Sequence, residues 1–287
     1  MKKIKWIVTI FVIMFTLASA PIVTSSTRNG TSDSEKIITL TDNNVLVLNA
    51  PIDSDSVARV IIEARRLDSL LFHRNEPIYL FMNTPGGNIQ SGLELLEALK
   101  GLHRPVHTIS LFSASMGFQL VQGLGDRLIL KNGVMMNHHA NGQISGDFGG
   151  VDTQLDSRYK LWKDRLRELD EQTVKRTNGK QTYESYLKEY DHEMWLTGKQ
   201  SVDKGYSDRI VRVRCDDSLD GTNTQSMQIF GFTVQYDLDK CPLNTTPMNI
   251  RPMIDDKKMS PEMKNEIKAR FLESFTQKYR RPLPMTW

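Results

Sequence analysis

The chain has 287 residues, 25% of them charged and 39% hydrophobic, which suits a soluble globular protein with one large α/β domain plus extensions, or two small domains. Lysine and arginine number 37 against 34 aspartates and glutamates, a formal net charge of +3, and the two signs are interleaved along the chain. No basic stripe forms, which excludes nucleic acid as a partner.

At the N-terminus Lys2, Lys3 and Lys5 precede an almost unbroken apolar run from Trp6 to Leu17, and Ala18-Ser19-Ala20 supplies the small residues a signal peptidase reads. The run is shorter than the roughly 20 residues that span a bilayer. Residues 1–20 therefore read as a signal for export to the periplasm or beyond. Pro21 fits poorly after a cleavage point, so retention as an N-terminal membrane anchor is the alternative. Residues 21–35 are polar, Ser/Thr-rich and unpatterned, a flexible linker.

Ordered structure is expected from Lys36. Ile37–Leu40 and Val45–Leu48 are short apolar runs split by the turn residues Asp42-Asn43-Asn44, and so read as strands. Residues 53–56 cap a helix whose apolar face is Val57, Val60, Ile61, Ala64 and Leu67. A strand over Ile78–Met82, a tight Asn83–Gly87 loop and a helix over Ile89–Leu102 follow. The unit then repeats: a strand over Val106–Leu111, a connection at Phe112–Ala114 and a helix over Ser115–Leu124. Two short strands, Arg127–Leu130 and Val134–Met136, come next. This alternation predicts an α/β domain with parallel pairings. Asn141–Gly150 carries four glycines and reads as a mobile loop. Asp152–Arg176 reads as a long amphipathic helix with Leu155, Tyr159, Trp162, Leu166 and Leu169 along one face, either projecting towards a partner or covering the sheet. Thr197 caps a further helix, and Ile210–Val213 is a last strand, which sets a domain of residues 36–214. The extension 215–287 holds an alternating stretch, Met227–Tyr236, and an amphipathic helix over Pro261–Tyr279 opened by Ser260. Its Cys215 and Cys241 are the only cysteines. In an oxidising compartment an even count invites a disulfide, with two free thiols the alternative. Neither shows a spacing that points to a metal site.

Three segments carry residue types suited to acyl transfer. In Asn83–Gly87 (NTPGG) two glycines after a buried strand let amide groups approach a ligand, as an oxyanion hole requires. A plain Pro-Gly turn meets the same pattern. In Ser113–Gly117 (SASMG) a serine joins a strand to a helix N-terminus, where an exposed hydroxyl finds adjacent amide donors. A capping serine occupies the same place. Asn137–Gly142 (NHHANG) places two histidines after a strand, where only one of the pair can face a common site. A surface histidine pair is the plainer alternative.

In order, strand-NTPGG-helix, strand-SASMG-helix and DRLILKNGVMMNHH resemble the Clp protease proteolytic subunit, whose PGG loop, ASMG turn and histidine strand carry its site. Trp195–Val211 (WLTGKQSVDKGYSDRIV) resembles that family's closing stretch, with Gly205 and Asp208 at matching positions. The resemblance covers about Asn44–Arg212. A PGG loop alone is shared with crotonase-fold relatives, but the four features together are much more specific. The resemblance implies a ClpP/crotonase-like α/β fold of repeated strand-strand-helix units with a long projecting helix. It implies Ser115 as nucleophile, His138 as general base, and the amides of Gly87 and Met116 as oxyanion hole. The family's acid position falls on Glu193, where it has aspartate, with Asp191 the alternative. It further implies no cofactor, a homo-oligomeric ring with the 152–176 helix between rings, and an AAA+ unfoldase partner. An exported chain meets no ATP and this one carries no nucleotide motif, so ATP-independent cleavage of peptides or unfolded proteins is expected. Two alternatives stand beside this reading. One is an exported relative of signal peptide peptidase A with Lys131 or Lys160 as base. The other is a non-catalytic ring or scaffold protein, to which Ala140, where the family has proline, and Glu193, where it has aspartate, would be suited.

Overall fold

The short apolar runs become the strands of one sheet because each can bury both faces only between other strands and covering helices. In the computed structural model the described residues are 36–70, 75–142, 151–229, 231–253 and 260–279. The expected export signal and linker of residues 1–35, and most of the glycine-rich 141–150 loop, lie outside them.

Strands β1 (Lys36–Leu40) and β2 (Val45–Leu48) are followed by helix α1 (Ser54–Asp68). Asp53 caps α1, its carboxylate accepting the Ser56 N–H at 2.8 Å, and Val57, Val60, Ala64 and Leu67 are the buried face. Next come β3 (Ile78–Thr84), α2 (Ile89–Lys100), β4 (Val106–Ala114), α3 (Met116–Gly123) and β5 (Arg127–Asn137). Beyond them lie α4 (Val151–Arg176), α5 (Tyr183–Tyr190), β6 (Met194–Thr197), α6 (Gly198–Asp203) and β7 (Arg209–Cys215). The strand order is β1-β7-β5-β4-β3-β2, all parallel, with β6 added antiparallel to β5. Along β3 the residues alternate between two cores. Ile78, Leu80 and Met82 pack with α1, α2 and α3, while Phe81 joins Ile38, Leu40, Ile109 and Leu128 on the other face.

The two short strands expected over Arg127–Met136 are one strand with a bulge. On β4, Ser110 pairs with Ile129 and Phe112 with Val134, so four residues of β5 oppose Leu111 alone. Gly133 permits this close approach, since a Cβ there would fall 2.6 Å from the Ser110 carbonyl oxygen. Past the bulge β5 exchanges its neighbour β7 for β6, whose residues Met194–Thr197 pair with Asn137–Val134.

Two separated pieces of sequence meet beside β5. The Arg127 guanidinium, 2% exposed, donates to Asp208 at 2.6 Å, to the Gly205 carbonyl at 2.9 Å, to Gln122 at 2.8 Å and to the Arg176 carbonyl at 2.9 Å. This ties α3, the end of α4 and the start of β7 to one buried charge. Of the apolar stripe expected on α4, Leu169 is buried, whereas Tyr159 is 58% exposed. The first four turns of α4 stand largely in solvent because no neighbouring element covers them among the described residues.

The described residues form one compact unit that includes the extension. There β8 (Thr222–Ile229), β9 (Phe232–Asp239) and β10 (Met248–Pro252) form an antiparallel sheet covered by α7 (Pro261–Tyr279). Ile267, Phe271 and Phe275 of α7 pack on Ile229, Val234 and Tyr236. A disulfide joins Cys215, the last residue of β7, to Cys241 just after β9.

Candidate active site

Parallel pairing decides where the three motifs meet. β3, β4 and β5 are adjacent and run the same way, so the segments that follow them emerge at one edge, where open α/β sheets bind ligands. NTPGG lies at the end of β3, Ser115 is one residue past β4, and His138 is one residue past β5. The Ser115 N–H donates to the Met136 carbonyl at 2.9 Å, which holds the turn against β5.

Ser115 has φ 54° and ψ −120°, a left-handed conformation that a side-chain-bearing residue adopts only under constraint. Its hydroxyl makes no capping hydrogen bond to α3. It lies instead 2.8 Å from His138 Nε2. Ser113 is buried and donates to the Ser110 hydroxyl at 2.9 Å, so it does not cap either. A half-buried hydroxyl beside an imidazole nitrogen can pass its proton to that nitrogen.

The glycine loop is pressed against this turn. A Cβ on Gly86 would fall 2.7 Å from Ser115 Cβ and 2.5 Å from the Ala114 carbonyl oxygen, and one on Gly87 would strike the Ile52 backbone. The Ile52 N–H donates to the Gly86 carbonyl and the Asn88 N–H to the Ile52 carbonyl, both at 2.8 Å. In such a parallel bridge the N–H of Gly87 itself points away from Ile52. Met116 opens α3, so its N–H has no intrahelical carbonyl to meet. The Met116 amide thus opens next to Ser115, and the Gly87 amide lies on the glycine loop packed against the same turn.

The carboxylates do not follow expectation. Glu193 Oε2 accepts the Trp195 indole N–H at 3.0 Å, and Asp191 Oδ1 lies 3.4 Å from Nε2 of His139. Neither is brought to His138, and among the described residues no carboxylate is hydrogen-bonded to it. Glu193 sits at φ 95° immediately before β6, and its carboxylate is held on Trp195 of that strand. Lys131 is exposed on the β5 bulge and Lys160 on the outer part of α4, and neither is hydrogen-bonded to Ser115.

The sequence reading missed a polar cluster behind the histidines. Asp170 of α4 is 9% exposed and accepts the hydroxyls of Tyr186 at 3.2 Å and Tyr190 at 2.7 Å. Burial pushes the Asp170 carboxyl up, and the two hydroxyl donors only partly offset this. Burial likewise pushes both tyrosines up, with Asp170 adding to it. The spacing of Tyr183, Tyr186 and Tyr190 was the available signal for α5, which no expectation included.

The model of the family described as Clp protease matches residues 29–214. Proteolytic subunits of ATP-dependent Clp proteases from Streptococcus gordonii, Streptococcus pyogenes and Streptococcus equi subsp. equi are each 25% identical to this chain over 194 residues. Those residues are 67% of this chain and 96% of each relative. Residues 215–287 lie beyond the family match.

Proposed function

The chain belongs to the Clp protease family, and on that premise we propose that it is a serine endopeptidase that cleaves peptides or unfolded proteins through an acyl-enzyme. The observation that carries the reading is the 2.8 Å approach of His138 Nε2 to a Ser115 hydroxyl held at positive φ and free of any capping bond. Nε2 accepts the hydroxyl proton, which requires the imidazole tautomer protonated on Nδ1. Ser115 Oγ then adds to the scissile carbonyl carbon, and the oxyanion takes hydrogen bonds from the amides of Gly87 and Met116. The imidazolium next gives its proton to the leaving amine as the C–N bond breaks. Water, deprotonated by His138, then adds to the acyl carbon, and the imidazolium returns its proton to Ser115 Oγ as the ester C–O bond breaks. No step uses a cofactor.

The disulfide between Cys215 and Cys241 supports export, since such bonds persist in oxidising compartments. With the Lys2–Ala20 pattern it supports a peptidase that works without ATP. The family forms oligomeric rings that work with AAA+ partners. The exposed outer turns of α4 support a homo-oligomer here, with that helix between rings.

The test is labelling of the purified full chain with a fluorophosphonate, alongside hydrolysis of a fluorogenic peptide. A Ser115 adduct is expected, and Ser115→Ala and His138→Ala each lower kcat about 10⁴-fold or more. Full activity in His138→Ala with loss in Lys131→Ala or Lys160→Ala would replace the histidine base by a lysine. One observation favours a second reading, a non-catalytic scaffold: Glu193 is bonded to Trp195 rather than to His138. A folded wild type that takes no label supports the scaffold.

A further inference from the structure

The polar cluster behind the histidines has no part in the mechanism above, yet it grips the residues on both sides of His138. Asn137 is 2% exposed, and its Nδ2 donates to the Tyr186 hydroxyl at 2.8 Å. His139 lays its ring against Tyr190, with centroids 4.7 Å apart. Both tyrosine hydroxyls donate to one carboxylate, Asp170. At a strand end residues 137 and 139 point to one side and residue 138 to the other. Holding Asn137 and His139 on the tyrosine side therefore directs His138 towards Ser115.

The same cluster reaches the nucleophile's helix. Gln119 Nε2 lies 3.5 Å from Asn137 Oδ1, and the Gln119 backbone N–H donates to the Ser115 carbonyl at 3.2 Å. Burying this many polar groups costs stability unless each is satisfied, and a satisfied network fixes directions that apolar packing leaves loose. The site has a use for such fixing, because no described carboxylate holds the His138 ring. We propose that Asp170, acting through Tyr186 and Tyr190, is the positioning residue that aims His138 at Ser115. It thereby does the orienting work that a carboxylate on the imidazole would otherwise do.

The inference rests on Ser115 and His138 being the reacting pair, so its test carries a readout that needs no turnover. Asp170→Asn and Tyr186→Phe preserve size and ring packing, and thermal unfolding checks that each is folded. Each variant is compared with wild type in peptide hydrolysis and in the NMR line widths of the His138 ring. Expected are a kcat about tenfold lower or more with KM within about twofold, the mark of a misaimed group, and broadened His138 signals. Asn137→Leu, which cuts the link while leaving Asp170 and both tyrosines intact, should do the same. Folded variants with unchanged kcat and unbroadened His138 signals overturn the inference. A wild type that neither labels nor cleaves, with His138 still broadened in Tyr186→Phe, overturns the peptidase reading and keeps the network.

Discussion

At the residue scale the informative position is Glu193. A triad acid that loses its charge costs about 10⁴-fold in kcat. Here the Glu193 carboxylate is engaged by Trp195 Nε1, so it gives His138 no such support. Glu193→Gln should lower kcat/KM less than about tenfold, because a side chain bonded to another partner adds little to the transition state. A loss near that of His138→Ala in the same steady-state assay would return Glu193 to the triad. The residue types at Ser115 and His138 were open to inspection in the sequence, since each directly follows a recognisable strand. Their separation was not, because it depends on parallel pairing of β4 with β5 across the bulge at Gly133.

At the scale of elements, β5 organises the site and Arg127 anchors its start. Burial alone would raise the Asp208 carboxyl, but the hydrogen bonds and charge of Arg127 outweigh it and hold the group below the usual carboxylate range. A depressed folded-state value means that Asp208 contributes stability above its unfolded value of about 3.9. That contribution is lost as pH falls through the lower folded value. The urea midpoint of Asp208→Asn should therefore lie below wild type at neutral pH, with the gap closing as pH falls below about 4. A gap that stays constant with pH would show that the pair contributes nothing through its charge. Gly205 and Asp208 stand out as a motif in the sequence, yet their partner Arg127 is some eighty residues away, and only packing unites them. Helix α5 escaped notice because its eight residues mix tyrosines with charges, and its buried face exists only once Asp170 is opposite.

At the scale of the whole molecule, the disulfide ties the last residue of β7, just past the family match, to the end of the β8–β9 hairpin. It closes a loop of 26 residues, worth about 3.5 kcal/mol of unfolded-state entropy if the native state is unstrained. Cys241→Ser should lower the unfolding free energy by an amount of that order, read by urea titration, and dithiothreitol should do the same to wild type. No shift on reduction would mean that the Ile229–Phe275 core holds the extension by itself. The sequence alone determined most of the strand and helix order from β1 to α4, the helix α7, the cysteine pair and the candidates Ser115 and His138. Those follow from periodicity, composition and motif, which are local properties of the chain. Tertiary structure alone decided which groups touch: the hydroxyl on the imidazole, Glu193 on Trp195, and Asp170 on two tyrosines behind the histidines. The physical reason is that a side chain's partner depends on backbone direction over the last few residues. At Glu193 a positive φ just before β6 goes with a carboxylate bonded to Trp195 rather than to His138.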